Sequence, residues 1–146
     1  MKVTGRIGLP VDPETTWQRL VAWEDQARWM RDVGPVRVLT SHREGRGVVI
    51  AVPTLVLRLP LFTDRLEVVV WDPPHRLVVA HRGLVRGVGS WTLDGVRDGS
   101  VFTWSEDVSL PVPLLGECAL LVYRPVLRRL MRGSMANLRA ALLADG

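Results

Sequence analysis

Two side chains, His81 and Glu106, have the chemistry needed to move protons or to orient a polar ligand, and they are the catalytic candidates. The alternation typical of β-strands places His81 on one face with Leu77 and Val79, and Glu106 on a face with other apolar residues. Because burial penalises an unpaired charge, Glu106 would need a cation or a hydrogen-bond donor beside it. The pair could act as a base and its orienting carboxylate, or could simply hydrogen-bond a ligand's carbonyl or hydroxyl group. In the structural alternative, His81 is a half-buried histidine at a strand end, and Glu106 lies at a strand end near solvent or pairs with an arginine.

Large apolar side chains on the same predicted faces would form the walls around these two residues. Trp91 shares a face with Gly87 and Gly89, and small residues beside a large ring suit a curved sheet or an opening over a ligand. A planar aromatic ligand could stack on Trp91 or Trp104, whereas the simpler interpretation is core packing. The candidate ligand-binding residues are Trp29, Leu77, Val79, His81, Trp91, Phe102, Trp104 and Glu106.

A series of strands must position these side chains. Residues 36–110 form β-rich segments divided by turn-forming sequences, and the short connections predict an antiparallel meander. The pattern does not assign the inward face of residues 62–71, because Leu66, Val68 and Val70 favour one parity and a bulge would reverse it. The predicted strands cover residues 2–9, 36–42, 47–58, 62–71, 75–82, 86–94 and 100–110.

Helices are predicted before and after the meander. Asp12 is the expected N-cap of the first helix, Pro13 fits its first position, and a second short helix is expected over residues 24–31. After residue 113 the apolar residues recur at helical spacing, in a long helix that Pro125 should kink or divide. One face of this helix holds Leu127, Met131, Leu138 and Leu142, and the opposite face holds Arg128, Arg129, Arg132 and Arg139.

Together these elements predict a single α+β domain over residues 1–146. A seven-stranded sheet needs a cover on one face, and the long helix has one apolar stripe that can supply it. Because one helix cannot fill the whole concavity of a strongly curved sheet, a cavity of the kind that binds small molecules is expected between them.

Several short motifs resemble, in their order and spacing, those of the START-like or SRPBCC superfamily. The resemblance covers nearly the full chain, and the polyketide cyclase/dehydrase-type subgroup is the most similar. It implies the helix-grip fold: a curved seven-stranded antiparallel sheet wrapped around a long C-terminal helix, with two short helices after the first strand. It also implies a hydrophobic-ligand cavity, but no single reaction. The motifs are Val11-Asp12-Pro13-Glu14-Thr15-Thr16-Trp17, Trp29 followed by Val33, Trp71-Asp72-Pro73-Pro74-His75-Arg76-Leu77, Gly89-Ser90-Trp91-Thr92-Leu93, and Gly99-Ser100.

Three functions remain open on this basis. The leading hypothesis is a binding module that holds a small hydrophobic molecule, whether lipidic, aromatic or polyketide-like, between the C-terminal helix and the sheet. The second is a cofactor-independent polyketide cyclase, aromatase or dehydratase in which His81 and Glu106 move protons. The third is a non-catalytic interaction protein whose own side chains fill the cavity.

Composition limits the partners of the protein. The net charge of the 146 residues is +4, but acidic residues recur beside the arginines, a pattern that does not favour nucleic-acid binding. The arginine face of the last helix could dock an acidic carrier protein or be weakly attracted to anionic membrane lipid, although such faces are usually only solvated. Its residues are Arg128, Arg129, Arg132 and Arg139.

No cofactor or metal ion is expected. Gly87-x-Gly89 lies inside a predicted strand and opens no helix, unlike a dinucleotide-binding loop, and no His, Asp or Glu cluster has metal-ligand spacing. The single cysteine, Cys118, is expected to be buried and inert. Because the sequence has neither a signal-peptide pattern nor a transmembrane run, a cytoplasmic location is expected.

Overall fold

Seven antiparallel strands form one sheet, in the order β1-β7-β6-β5-β4-β3-β2, in the computed structural model, which describes residues 1–145. This order confirms the predicted meander, with β1 pairing beside β7. Gly146, the last residue of the predicted domain, lies outside the described residues. The strands are β1 (Lys2–Leu9), β2 (Arg37–Val38), β3 (Val49–Val56), β4 (Leu59–Asp72), β5 (Arg76–Arg82), β6 (Arg86–Val96) and β7 (Gly99–Ser109).

The second strand is shorter than the sequence predicts. β2 covers Arg37–Val38, whereas the expected strand runs over residues 36–42. Beyond β2 the Thr40 hydroxyl donates to the His42 carbonyl at 2.9 Å and accepts from the Val49 N–H at 3.2 Å. A side chain that satisfies backbone groups locally competes with strand pairing, so the strand ends early.

A bulge in β4 decides the face that the sequence pattern leaves unassigned. The pairing of β4 with β5 shifts register between Val68 and Val70. Before the shift Asp64 and Val68 are buried, and after it Trp71 packs against the core. One extra residue reverses the parity of the side chains, which is why polarity alone does not assign this strand.

Asp12 caps the first helix, α1 (Pro13–Leu20), as the sequence predicts. Its carboxylate accepts a hydrogen bond from the Thr15 N–H at 2.8 Å, and Pro13 lies in the first turn. The predicted second helix is present as two shorter pieces, a 3-10 turn (Trp23–Asp25) and then α2 (Gln26–Trp29).

The last helix, α3 (Leu115–Asp145), continues through Pro125, so the prediction that this proline could divide it is wrong. Pro125 lacks the N–H that would bond to the Leu121 carbonyl, and the helix continues past this one missing hydrogen bond. Cys118 is also exposed in this half of α3, so the expectation of a buried thiol is wrong. Among residues 1–145, no helix is both long enough and apolar enough to cross a bilayer.

The two halves of α3 differ in how closely they approach the sheet. The predicted apolar face is buried in the C-terminal half, at Met131, Leu138 and Leu142. Gly5 of β1 permits this approach, since a Cβ there would lie 2.5 Å from the Met135 Cε. In the N-terminal half, Gly116 and Leu120 are the buried residues. Space is therefore left between that half and the sheet.

All six tryptophans belong to two aromatic groups in the core. The Trp71 ring centroid lies 5.2 Å from that of Trp17 and 6.4 Å from that of Trp23. The second group joins Trp29, Trp91, Phe102 and Trp104 through centroid distances between 6.0 and 6.3 Å. Rings in such contact form a wall of the core, and the second group reaches Glu106 through Trp104.

Candidate functional site

His81 of β5 lies between two carboxylates on the concave face of the sheet. Its Nδ1 is 2.7 Å from the Asp64 Oδ2 of β4, and its Nε2 is 2.9 Å from the Glu106 Oε2 of β7. The side chains of His81, Asp64 and Glu106 are only 11%, 8% and 17% exposed. Because an acceptor faces each ring nitrogen, the imidazolium form, which donates from both, satisfies the whole arrangement.

Two glycines in β6 allow His81 to reach Glu106 across an intervening strand. His81 pairs with Gly87 and Glu106 pairs with Gly89, so neither side chain has a Cβ beside it on β6. A Cβ at Gly89 would lie 2.7 Å from the Glu106 Oε2. Gly87 has a φ of 131°, and a Cβ there would overlap the Asp107 carbonyl oxygen. Gly89 therefore gives room for the Glu106 carboxylate that contacts His81, whereas Gly87 is required by its positive φ and by the nearby Asp107 carbonyl.

Every oxygen of the two carboxylates has a donor. The Trp104 Nε1–H donates to the Glu106 Oε1 at 3.0 Å, and the Arg65 N–H donates to the Asp64 Oδ1 at 3.0 Å. Among the described residues, Glu106 is paired with His81 and Trp104 rather than with an arginine. The cluster of Asp64, His81 and Glu106 is therefore held rigidly by its own hydrogen bonds.

The two carboxylates keep His81 protonated. Burial by itself lowers the pKa of His81, but the hydrogen bonds and charges of Asp64 and Glu106 outweigh burial and raise the pKa from 6.5 to about 9. At neutral pH the ring carries a proton on each nitrogen and has no free lone pair. In that state His81 cannot take a proton from a ligand, so its role is that of a fixed cation.

Asp32 brings a third carboxyl group to the same place, from the loop between α2 and β2. The Leu55 N–H donates to the Asp32 carbonyl and the Gly34 N–H donates to the Pro53 carbonyl, both at 2.8 Å, so β3 holds this loop. Burial raises the pKa of Asp32, a hydrogen bond from its own backbone N–H opposes the rise, and the charge of Glu106 adds to it. Within residues 1–145 no other side chain bonds to this carboxyl. Asp32 therefore keeps hydrogen-bonding capacity for a ligand, whereas Asp64 and Glu106 have a donor on every oxygen.

Tyr123 approaches Asp32 from α3. Burial raises the pKa of the Tyr123 phenol, and the charge of Asp32 raises it further. A phenol that keeps its proton can donate a hydrogen bond to a carbonyl or hydroxyl oxygen of a ligand. Asp32 and Tyr123 thus offer an exchangeable proton and a fixed donor on the same side of the cluster.

Two cavities meet at these polar residues. The outer cavity, of about 440 Å³, lies under the N-terminal half of α3, and the inner cavity, of about 110 Å³, lies deeper between the sheet and α2. Both are bordered by Asp32, Thr54, Asp64, Trp104 and Glu106. Apolar walls of the outer cavity include Val56, Leu61, Val108, Leu120, Leu127 and Met131. The space is therefore an apolar pocket with one polar region at its inner end.

The predicted ligand-binding residues are distributed unevenly around this space. Trp29 and Phe102, which are 1% and 0% exposed, lie behind the walls, and His81 lies behind Asp64 and Glu106. The remaining predicted residues border a cavity, and they are Leu77, Val79, Trp91, Trp104 and Glu106.

Sequence reasoning missed three polar residues of the site. Asp64 has the parity of Leu66 and Val68, so extending that pattern by one step would have found it. Tyr123 lies four residues before Leu127 on the predicted apolar face of the helix and was also detectable. Asp32 lies in an irregular loop, and no periodic pattern points to it.

The geometry suits an organic ligand with one polar group. Among residues 1–145, no group of three or more His, Cys, Asp or Glu side chains is placed to hold a metal ion. The cavity is apolar over most of its wall, and its polar groups converge at one end, which is the usual arrangement of a small-molecule pocket.

Comparison with known proteins is consistent with this architecture. Residues 1–143 match the family described as polyketide cyclase / dehydrase and lipid transport. No curated protein matches the chain in sequence.

Solved structures share the fold at low sequence identity. TTHA0849 from Thermus thermophilus superposes with a TM-score of 0.81 at 17% identity, over 100% of this chain and 99% of that chain. A START superfamily protein from Mycobacterium smegmatis superposes with a TM-score of 0.70 at 13% identity, over 97% of this chain and 93% of that chain. The di-domain ARO/CYC StfQ from the steffimycin biosynthetic pathway gives 0.74 at 16% identity, over 95% of this chain and 49% of that chain. The START-like, helix-grip fold implied by the sequence motifs is therefore confirmed.

The raised pKa of His81 predicts that the protein loses stability in mildly alkaline solution. Because the folded-state pKa of about 9 exceeds the ordinary 6.5, the stabilisation is fully present below pH 6.5 and is lost as pH rises through 9. The loss is about 3 kcal/mol in the free energy of unfolding. Urea denaturation between pH 6 and pH 10 measures it. His81→Gln should have a markedly flatter profile over this range, and an unchanged slope in that variant would contradict the assignment.

The close packing of Gly89 in β6 against Glu106 predicts a second effect on stability, which can be measured separately from the first. Gly89→Ala should lower the free energy of unfolding by about 1 to 3 kcal/mol, because the new methyl group displaces Glu106 from His81 and Trp104. Gly8→Ala in β1 is the matched control, since a Cβ there meets nothing within 4 Å. Denaturant titration of both variants at pH 7 decides the question, and equal stabilities would show that the gap is not required.

Proposed function

The chain belongs to the polyketide cyclase / dehydrase and lipid transport family, and from this premise we propose that it binds a small hydrophobic molecule in the outer cavity, with the molecule's polar group toward Asp32, Asp64 and Glu106. The fold is that of the SRPBCC ligand-binding and cyclase proteins. Lipidic, aromatic and polyketide-like molecules all fit this description.

The single observation that carries the proposal is the outer cavity itself. Its volume of about 440 Å³ falls within the range of small-molecule sites, which is about 300 to 1,000 Å³. Burial of the ligand's apolar part against the walls would supply most of the affinity. The alternative of an interaction protein with a filled cavity does not match this open space among the described residues.

The charges at the inner end restrict the polar group of the ligand. Asp64 and Glu106 carry two negative charges and His81 carries one positive charge, so the cluster is net negative whether Asp32 is ionised or protonated. A carboxylate or phosphate placed there would meet like charge at low dielectric. The ligand's polar group is therefore neutral or cationic, such as a hydroxyl, a carbonyl or a protonated amine.

A second candidate function, a cofactor-independent cyclase, aromatase or dehydratase, is favoured by one observation, the free carboxyl of Asp32 with its raised pKa. A carboxyl poised in this way can move a proton to or from a reacting carbonyl compound, with the Tyr123 phenol as a nearby donor. The predicted His81/Glu106 pair is less suited to this work, because both members are already saturated with hydrogen bonds.

The arginine face of α3 has a weaker claim to a role. Arg129, Arg132 and Arg139 are exposed and Arg128 is half-buried, as solvated arginines on a helix would be. Docking of an acidic carrier protein on this face stays a prediction, and so does a cytoplasmic location.

Ligands that differ only in their polar group test the binding proposal. Decan-1-ol and decylamine should bind at least about tenfold more tightly than decanoate, because only decanoate meets like charge at the inner end. Isothermal titration calorimetry below the micelle concentration measures the three affinities. Tryptophan fluorescence provides a second readout, since Trp104 borders both cavities.

Variants locate the bound group within the cavity. Asp32→Asn should reduce the preference for decylamine over decanoate by about tenfold, whereas Asp94→Asn, which changes an exposed carboxylate of β6, should leave it unchanged. Failure of all three ligands to bind, with no retained small molecule in the native mass spectrum, would exclude the binding function. Tightest binding of decanoate would exclude the proposed charge preference.

The enzymatic candidate makes a different prediction for the same residue. With a thioester of a poly-β-ketone as substrate, Asp32→Asn should lower kcat/KM by about 100-fold or more, and should change the Kd of a non-reacting analogue by less than about threefold. Product formation followed by mass spectrometry measures the rate. Parallel losses in affinity and in turnover would show that Asp32 only binds.

A further inference from the structure

Large aliphatic side chains that face solvent lie on the three chain segments that border the outer cavity. Leu57 is 89% exposed, Val122 is 79% exposed and Leu114 is 75% exposed. Soluble domains expose single leucines routinely, but a cluster around one opening marks an interaction site. We name this cluster the apolar rim, and its members are Leu57, Leu59, Leu84, Leu114, Leu115 and Val122.

Three separate segments bring the apolar rim together. Leu57 and Leu59 belong to the β3–β4 hairpin, and Leu84 lies between β5 and β6. The third segment is the start of α3 with the residue before it, and it holds Leu114, Leu115 and Val122. Each segment also contributes a residue to the wall of the outer cavity. These residues are Leu61 in β4, Leu84 itself, and Ala119 in α3. The rim residues are therefore next to the cavity wall along the chain, on the side that faces water.

The N-terminal half of α3 presents its apolar stripe outward. At 100° per residue, Leu115, Val122 and Val126 share one helical face, and Glu117 and Arg124 lie on the opposite one. The three apolar residues are 74%, 79% and 45% exposed. This stripe has no cover among residues 1–145, so it is available to a partner.

The β3–β4 turn holds its leucine outward at a conformational cost. Leu57 and Arg58 form the two-residue loop and have φ values of 53° and 66°, in the left-handed region. Asn-Gly is the pair that such turns favour, because these residues tolerate positive φ with little strain. A leucine gains nothing there in water, so its presence points to a surface that receives it.

The charge of the rim indicates what that surface is. Residues 55–62, 82–90 and 108–126 contain four arginines and one acidic residue, Glu117, which lies on the helical face opposite Leu115 and Val122. Arg82 pairs with Glu67 at 3.1 Å, whereas Arg58 and Arg86 have no carboxylate partner within residues 1–145. Apolar tips flanked by free cations match an anionic lipid surface, which receives both. Two copies of this chain would instead bring like charges together.

We propose that the apolar rim docks on the surface of an anionic lipid bilayer, with the opening of the outer cavity facing the lipid. The leucines enter the interfacial region, and Arg58 and Arg86 contact the acidic headgroups. A hydrophobic ligand can then pass between bilayer and cavity without crossing water. This passage rests on the proposed binding function, whereas the docking does not.

Vesicle sedimentation tests the docking directly. The full-length protein without added ligand should bind phosphatidylcholine vesicles containing 30% phosphatidylglycerol more tightly than vesicles of phosphatidylcholine alone. Leu57→Gln combined with Val122→Gln should lower the partition coefficient by about tenfold or more. Arg58→Gln should lower it by about fivefold, and only on the anionic vesicles.

Matched controls come from the other end of the molecule. Val96→Gln with Leu143→Gln changes two aliphatic residues that are 51% and 54% exposed, and Arg97→Gln changes an exposed arginine in the β6–β7 turn. These controls should bind vesicles as the unchanged protein does. All substituted residues face solvent, so circular dichroism should show intact folding throughout.

Several results would overturn the proposal. These are no binding of the unchanged protein to anionic vesicles, or equal losses in the rim variants and the controls. A dimer in sedimentation velocity that dissociates on rim substitution would identify a second copy as the occupant. Binding of a purified acidic carrier protein at the rim, without vesicle binding, would identify a protein partner. Vesicle binding that persists while decan-1-ol and decylamine fail to bind would reject the proposed ligand function and keep the docking.

Discussion

The charged hydrogen bonds of His81 with Asp64 and Glu106 are the interaction on which the rest of the site depends. They join β4, β5 and β7 across the concave face, at distances of 2.7 and 2.9 Å, and they replace water for three ionisable groups that are largely buried. Removal of any member would leave a buried charge without its partner, which is far more costly than loss of an exposed ion pair. Glu106 also accepts a hydrogen bond from the Trp104 N–H, and Trp104 in turn forms part of the aromatic group beside both cavities.

The position of this cluster explains why the outer cavity has aliphatic walls but a polar inner end. The C-terminal half of α3 packs closely on β1, where Gly5 gives room for the methionines, and the N-terminal half stands away from the sheet. The space beneath the N-terminal half is lined mainly by aliphatic residues, and its inner end is closed by Asp32, Asp64 and Glu106. For the proposed ligand, hydrophobic burial and net negative charge would therefore act on different parts of one molecule, and this division would give selectivity as well as affinity.

The apolar rim extends the same logic to the surface of the protein. A ligand whose body is apolar is stored in lipid rather than in water, so an opening that meets the bilayer shortens the unfavourable step. The rim leucines and the cavity wall residues lie on the same short segments, so the proposed binding and the proposed docking share their structural elements. His81, Asp64 and Glu106 lie at the inner end of the cavity, where their hydrogen bonds join β4, β5 and β7. The apolar rim has no part in these bonds.

Much of this molecule follows from local chemistry that the sequence displays. Asp12 before Pro13 determines the helix cap, and the hairpin-length connections determine the meander. The spacing of Met131, Leu138 and Leu142 determines the covering helix. Each of these features depends on residues that are near one another in the chain. Strand parity likewise places Phe102, Trp104 and Glu106 inward. The tertiary structure alone decided which groups meet. A bulge in β4 lets both Asp64 and Trp71 face the core, and two glycines let His81 reach across β6. A loop that is hydrogen-bonded to β3 brings Asp32 to the site. Such contacts join residues far apart in sequence, and their geometry depends on register shifts and missing side chains that no periodic pattern encodes.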